Sequence, residues 1–286
     1  MKSLTIISAL CVAAATSVSA IDKIIAYADS FTDNGNDYKH SGFPATPPYW
    51  KGRFSNGPTW LEYVADNLND HEVINYGHGG APADNAYMYS QFNGWTVPGV
   101  IQQIETLPVD GTSEDLYIIS IGYNDLNGIV NPDQYKIVKE GYDVKDISNA
   151  ISKSVKMLIE KYEANHFLIQ NCPPFWRWPV VKDEDKERAR GLQLELNAMT
   201  KKELEKIDGI DLQFQDISSF WNDLLDHPES IGLSTENGPC NPGIGNKDAC
   251  DDPEKHMYWD SYHPEAKAHK AWGEWATKDI KRRYDL

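Results

Sequence analysis

Basic side chains are scarce in this chain: 27 Lys and Arg stand against 43 Asp and Glu, a formal net charge of −16. A surface of that sign repels nucleic acid and anionic lipid head groups, so neither is expected as a partner. Past the first twenty residues no apolar run is long enough to cross a bilayer, and no stable membrane insertion is expected. Repeats, low-complexity tracts and Pro/Ser-rich linkers are missing, so nothing marks a place to divide the chain. Asn-x-Ser/Thr does not occur, and N-glycosylation is not expected. The eight histidines include no His-Glu-x-x-His or comparable cluster, so no metal and no cofactor is expected. Asp248, Asp251 and Asp252 read as a solvated acidic loop rather than a calcium site.

Cysteine is also sparse, with four residues. Cys11 falls in an opening segment made of Met1-Lys2-Ser3, an apolar run from Leu4 to about Ala15, and small residues up to Ala20. One positive charge, a short apolar core and a small-residue end describe a secretory signal peptide, residues 1–20, cleaved after Ala20. Residues 21–286 then form one domain, expected outside the cell and as a monomer. In an oxidising compartment Cys240 and Cys250, which flank a nine-residue Gly/Pro/Asn-rich loop, are expected to pair. Closing that loop contributes roughly 2–3 kcal/mol. Cys172 remains as a buried free thiol.

Five short apolar runs read as strands: Ile24–Ala28, Val73–Tyr76, Leu116–Ile121, Phe167–Gln170 and Leu212–Ile217. Helical periodicity lies between and after them, over Pro58–Leu68, Val144–Tyr162, Asp183–Ile207 and the segment following Pro264. Alternating strands and helices imply crossover connections. The expected fold is therefore α/β, a three-layer, doubly wound, mainly parallel five-stranded sheet in the flavodoxin-like order 2-1-3-4-5. Its ligand crevice lies at the carboxyl ends of strands 1 and 3. Ser30 follows strand 1 and Asn124 follows strand 3, so both are expected there. Two long irregular segments, 31–57 and 226–259, are expected to build the cleft.

Acyl transfer needs a nucleophile, a base, a group that orients the base, and donors for the developing oxyanion. Ser30, in Ala28-Asp29-Ser30, is the candidate nucleophile. His263 is the candidate base, since imidazole both accepts and returns a proton near neutral pH. Pro264 fits a first helical position and places His263 at a loop–helix junction. Asp260, three residues earlier, can hold one imidazole tautomer. The Asn124 amide, in Gly122-Tyr123-Asn124-Asp125, and the glycine-rich run Asn75–Ala81 offer oxyanion donors. Taken singly each feature has an ordinary reading: a helix cap, an acidic first turn, a tight strand–helix turn. Their combination in this order is what carries weight.

With those residues in place the chain resembles the GDSL/SGNH family of serine esterases and lipases over its whole length after Ala20. The matching blocks are Ala28-Asp29-Ser30, a glycine placed at Gly80 (Gly79 in the alternative register), Gly122-x-Asn124-Asp125, and Asp260-x-x-His263. Gly52-Arg53-Phe54-Ser55-Asn56-Gly57-Pro58 looks like a segment recurrent in fungal and plant members. Asn171-Cys172-Pro173-Pro174 looks like their strand-4 exit. The resemblance implies attack by Ser30, proton transfer to His263, orientation by Asp260, and an oxyanion hole of the Ser30 and Gly80 N–H groups with the Asn124 amide. Two positions depart from the family pattern: Ala28 replaces a glycine and Phe31 a leucine. A methyl at 28 adds bulk to the sheet beneath the nucleophile and is expected to be tolerated, because the other motif positions are intact. An α/β-hydrolase is disfavoured because Gly-x-Ser-x-Gly occurs nowhere. A decayed, purely binding protein is the other rival, with Ala28 its sole support.

The expected substrate is a small-molecule or oligosaccharide ester with a short acyl group, as for the acetylesterases among the fungal members. Lipid hydrolysis is the alternative. Trp176 and Trp178, with Phe175, follow strand 4 and are expected to contact substrate. Tyr49, Trp50 and Trp95 lie in other loops on the same side.

Overall fold

The protein is described from a computed structural model covering residues 21–244, 248–284 and 286. The expected signal peptide lies outside the described residues. The chain forms strands β1 (Lys23–Ala28), β2 (Glu72–Asn75), β3 (Leu116–Ser120), β4 (His166–Gln170) and β5 (Asp211–Gln215). They pair in parallel, in the order β2-β1-β3-β4-β5. The sequence-based order and strand count hold, with strand ends moved by one or two residues.

The central strands are built from Ile, Leu, Tyr and Phe because both of their faces are covered. β3 and β4 are buried throughout, as is β1 apart from Lys23, while the edge strands β2 and β5 are only half-buried. The expected fifth strand stops at Gln215 rather than Ile217. There the Asp216 side chain accepts from Ser219 N at 3.1 Å and starts a helix that the periodicity did not predict.

Eight α-helices are present among the described residues: α1 (Asn36–Ser41), α2 (Trp60–Asn67), α3 (Val100–Thr106), α4 (Tyr123–Val130), α5 (Val144–Tyr162), α6 (Lys186–Leu204), α7 (Ile217–Asp226) and α8 (Ala266–Tyr284). None is long and apolar enough to cross a membrane. Three small ribbons decorate the loops. Met88–Tyr89 pairs with Lys136–Ile137, Gln91–Phe92 with Trp95–Thr96, and Ser234–Pro239 with His256–Tyr258. The Cys240–Cys250 disulfide is formed, and Cys172 is a buried free thiol.

The first and last long helices seal the sheet beneath Ser30. Trp60 of α2 stacks on Trp272 of α8 with centroids 4.8 Å apart, and its Nε1 donates to Thr32 Oγ1 at 3.0 Å. The helices meet this closely because residue 273 is glycine. A Cβ there would lie 2.6 Å from the Trp60 carbonyl oxygen and 2.6 Å from Tyr63 Cβ. Gly191 of α6, by contrast, is exposed, with open space where its Cβ would be. Gly273→Ala is expected to destabilise the protein by about 1–3 kcal/mol in denaturant unfolding, the range typical of overpacking. Gly191→Ala is expected to stabilise by up to about 1 kcal/mol, since alanine is the better helix former.

Candidate active site

Ser30 sits in the turn that leaves β1. The Thr32 and Asp33 N–H groups both donate to the Asp29 carbonyl at 3.0 Å, and Phe31 N donates to Asp29 Oδ1 at 3.0 Å. Gln103 of α3 clasps the strand end, accepting from Ala28 N at 3.1 Å and donating to Ala28 O at 2.9 Å. Ala28 stands in regular register opposite Ser120, and its φ is not positive. Its backbone makes no demand for glycine, so the added methyl does not distort the turn.

His263 meets Ser30 from the other end of the sequence. Its Nε2 lies 2.8 Å from Ser30 Oγ, and its Nδ1 lies 2.9 Å from both carboxylate oxygens of Asp260. An ionised carboxylate only accepts, so Nδ1 carries the hydrogen and Nε2 presents its lone pair to the serine hydroxyl. Asp260 is fully buried, and its oxygens also accept from Tyr262 N at 2.7 Å, His263 N at 2.9 Å and the Tyr49 hydroxyl at 2.8 Å. The imidazole is held between Phe54 and Phe31, at centroid distances of 5.2 and 5.8 Å.

The two glycine registers separate on geometry. Asp33 is buried and collects the N–H groups of Gly35, Asn36, Asp37 and Gly79, at 2.6–3.2 Å. Burial nevertheless raises its carboxyl to about 6. The Gly79 N–H is therefore committed to Asp33, and a Cβ at Gly79 would lie 2.1 Å from the Phe54 ring. Gly80 has φ +72° and lines the cleft, and its N–H has no protein acceptor among the described residues. The same is true of the Ser30 N–H. Asn124 enters the cleft from the first turn of α4, after left-handed Gly122. Its neighbour Asp125, fully buried and raised by burial to about 6, accepts from Ala83 N at 3.0 Å and from the Tyr142 hydroxyl. That ties the segment after Gly80 to α4.

Ser30, Gly80, Asn124 and His263 line one cleft of about 670 Å³. Both long irregular segments contribute walls, through Phe54 on one side and Pro242, Gly243 and Ile244 on the other. Phe92, Tyr135, Val180 and Tyr262 complete much of the remainder. No Asp, Glu, Lys or Arg lines it among the described residues.

The tryptophan expectation needs correcting. Trp178 is fully buried, edge-on to Trp221 at 5.2 Å, and Phe175 is fully buried edge-on to Tyr123 at 5.4 Å. Trp176 opens onto a separate depression, beside the guanidinium groups of Arg177 and Arg190. None of the three lines the cleft of Ser30; they pack behind or beside it. Trp50 lies under Lys51 and Arg53, and Trp95 stacks on His40 at 4.8 Å. Among the described residues one group, Cys250, Asp252 and His256, has the spacing of a metal site, but the Cys250 sulfur is bound in the disulfide.

A hydroxyl, an imidazole and a carboxylate lie in one hydrogen-bonded line at the carboxyl edge of the parallel sheet of an α/β protein, the arrangement that acyl transfer through a serine requires. Residues 29–276 match the GDSL-like lipase/acylhydrolase family, and the chain belongs to it, as a carboxylic ester hydrolase. A phosphatidylcholine-sterol acyltransferase of Aeromonas hydrophila is 30% identical over 256 residues, covering 82% of this chain and 70% of that protein. A thermolabile hemolysin of Vibrio parahaemolyticus is 24% identical over 277 residues, covering 90% of this chain and 63% of that protein. The fold is shared with a carbohydrate acetylesterase family member from Sinorhizobium meliloti. That match has a TM-score of 0.51 at 14% identity and covers 93% of this chain and all of the other.

His78, beside the glycine pair, is 2% exposed, and burial pushes its pKa down to about 4. Its Nδ1 lies 2.7 Å from the Tyr76 carbonyl, which only accepts, so the neutral ring donates there. In the unfolded chain the ring titrates near 6.5 and takes up its proton first on acidification. The stability it contributes is therefore present above about pH 6.5 and is lost as pH falls towards 4. Relative to His78→Asn, the wild type is expected to lose up to about 3 kcal/mol of unfolding free energy over that window. Urea unfolding of both proteins at pH 7, 5.5 and 4 measures it; a constant difference contradicts a buried neutral His78.

Proposed function

We propose that the protein is a secreted serine esterase that hydrolyses short-chain carboxylic esters, acetyl esters first, through an acyl-enzyme on Ser30. The observation that carries this reading is the 2.8 Å contact between Ser30 Oγ and His263 Nε2, in line with Asp260. His263 Nε2 takes the hydroxyl proton as Oγ attacks the ester carbonyl. Asp260 steadies the imidazolium that results. The developing oxyanion is received by the Ser30 and Gly80 N–H groups and by the Asn124 amide. As the tetrahedral intermediate collapses, His263 returns the proton to the departing alcohol. Water, deprotonated by the same ring, then attacks the acyl-enzyme and releases the acid and free Ser30.

A cleft whose described walls are neutral side chains supports a small, uncharged ester, and the acetylesterase with the same fold is consistent with that choice. Lipid ester hydrolysis is the second reading. It is favoured by the apolar stretch of Phe54, Phe92, Val180 and Ile244 and by the names of the two sequence relatives. Export by a signal peptide cleaved after Ala20, as a single-domain monomer, fits the disulfide, since such bonds persist in oxidising compartments.

Fluorophosphonate labelling with peptide mapping is expected to modify Ser30, and Ser30→Ala is expected to abolish both labelling and p-nitrophenyl acetate turnover. Asn124→Ala is expected to lower kcat by roughly 10²–10³-fold. A label on another residue, or full turnover by Ser30→Ala, overturns the proposal. Across acyl chain lengths kcat/KM is expected to peak at the shortest esters; a peak at long chains selects the lipid reading instead.

A further inference from the structure

An amide serves an oxyanion only if its nitrogen, not its oxygen, faces the charge, so something must set the orientation of Asn124. Asn124 is 4% exposed, and both ends of its amide are held. The Nδ2 group lies 3.0 Å from the Ala81 carbonyl oxygen, and Oδ1 lies 2.9 Å from the Tyr135 hydroxyl. The Ala81 carbonyl only accepts, so the nitrogen must face it and the oxygen must face Tyr135. Tyr135 must then donate its single hydroxyl hydrogen to Asn124. Its own oxygen accepts from Asn127 Nδ2 at 3.0 Å, and Asn127 Oδ1 accepts from Asn131 Nδ2 at 2.7 Å. The hydrogen bonds run in one direction, Asn131 to Asn127 to Tyr135 to Asn124. One Nδ2 hydrogen of Asn124 is held by Ala81, which leaves the other for the cleft.

We propose that Tyr135 is a positioning residue of the oxyanion site: its hydroxyl locks the Asn124 amide nitrogen-inward and, as the third member of a polarised chain, strengthens the remaining N–H as a donor. The proposal rests on the esterase reading given above. Hydrogen bonds aligned head to tail polarise one another, by about 10–30% each. Oxyanion stabilisation depends on donors that are already oriented before charge develops. Tyr135 arrives from the segment after α4, a part of the chain that no catalytic motif marks.

The test is a double-mutant cycle on p-nitrophenyl acetate with wild type, Tyr135→Phe, Asn124→Ala and the double variant, Ser30→Ala serving as the zero. Tyr135→Phe removes one oxygen and keeps the ring, and thermal unfolding verifies that each variant is folded. Tyr135→Phe is expected to lower kcat by about 10-fold with KM within about threefold, the pattern of a lost transition-state interaction. In the Asn124→Ala background the same substitution is expected to change kcat by less than about twofold. An unchanged kcat, a change confined to KM, or an equal loss in both backgrounds overturns the proposal. Full turnover by Ser30→Ala removes the esterase reading and this inference with it. An inactive Ser30→Ala beside an additive cycle removes this inference alone.

Discussion

One hydrogen bond, between hydroxyl and imidazole groups 233 residues apart, is the constraint around which this fold is arranged. Sequence separation is not the difficulty, because the entropy of closing a loop grows only logarithmically with its length. Precision is the difficulty, since reacting groups must be placed to within roughly 0.5 Å. Ser30 inherits its position from β1 and from a turn locked on Asp29. His263 belongs to no strand of the sheet, so its position must come from elsewhere. The segment 31–57 supplies it. Tyr49 binds the Asp260 carboxylate, Ser55 Oγ donates to the Pro264 carbonyl at 3.0 Å, and Asn56 bonds Ala266 N at 2.8 Å and Glu265 at 3.0 Å. Phe54 closes over the imidazole itself. An insertion that reads in sequence as cleft decoration is, in structure, the clamp on the turn that carries His263.

The acidic balance of the chain has a local counterpart at this edge of the sheet. Asp29, Asp33, Asp125 and Asp260 are all buried within a few residues of the cleft. Among the described residues none of the first three forms an ion pair; they collect N–H groups from the turns that follow the strands, and Asp125 also a tyrosine hydroxyl. Burial raises these three, Asp29 to about 7 and Asp33 and Asp125 to about 6, which marks how strongly desolvation opposes their charge. Each serves as a staple: a carboxylate that gathers backbone donors fixes a loop with no long side chain to immobilise. Asp33 holds Gly79 and thereby leaves Gly80 as the glycine whose N–H is free. Asp125 holds Ala83 and thereby the segment that carries Ala81, one anchor of the Asn124 amide.

The sheet was legible because apolar runs of β-branched and aromatic residues, alternating with helical periods, admit few topologies. The order is that of one of the common doubly wound sheets, which the alternating pattern admits. The residues that meet at the cleft were legible because strand exits in such a sheet converge. What sequence did not reveal is the supporting shell. Tyr49 and Tyr135 act through their hydroxyl groups from irregular segments, and no periodicity or spacing assigns either of them its role among fifteen tyrosines. Trp176 and Trp178 misled for the converse reason. An aromatic pair at the active edge suits a binding surface and a core equally. Here the short helical turn at Phe175–Arg177 rotates Trp178 inward, against Phe31, Tyr123 and Trp221. The Gly79 and Gly80 registers differ by one peptide, a distinction drawn only by where the Asp33 carboxylate points.

Hydrolysis and acyl transfer share every step up to the acyl-enzyme and part only at the second nucleophile. In the proposed mechanism His263 deprotonates water or an alcohol with equal competence, so the line of Ser30, His263 and Asp260 does not choose between them. The choice belongs to the walls, which decide how long an alcohol resides beside the acyl carbon and how freely water reaches it. Those walls come largely from segments outside the sheet: Phe54 from the first insertion, Gln91 and Phe92 from a small ribbon, and Pro242 to Ile244 from the disulfide loop. Loops of this kind tolerate substitution while the scaffold beneath them stays fixed. The same Phe54 that lines the cleft also packs against His263, so the first insertion cannot be remodelled without disturbing that imidazole. The disulfide loop is tied to the same turn, because the Cys240 and Asn241 N–H groups donate to the Tyr258 and Trp259 carbonyls at 3.0 and 2.6 Å and Cys240 packs with Tyr49 and Trp259, so a change of acceptor made there also bears on Asp260 and His263.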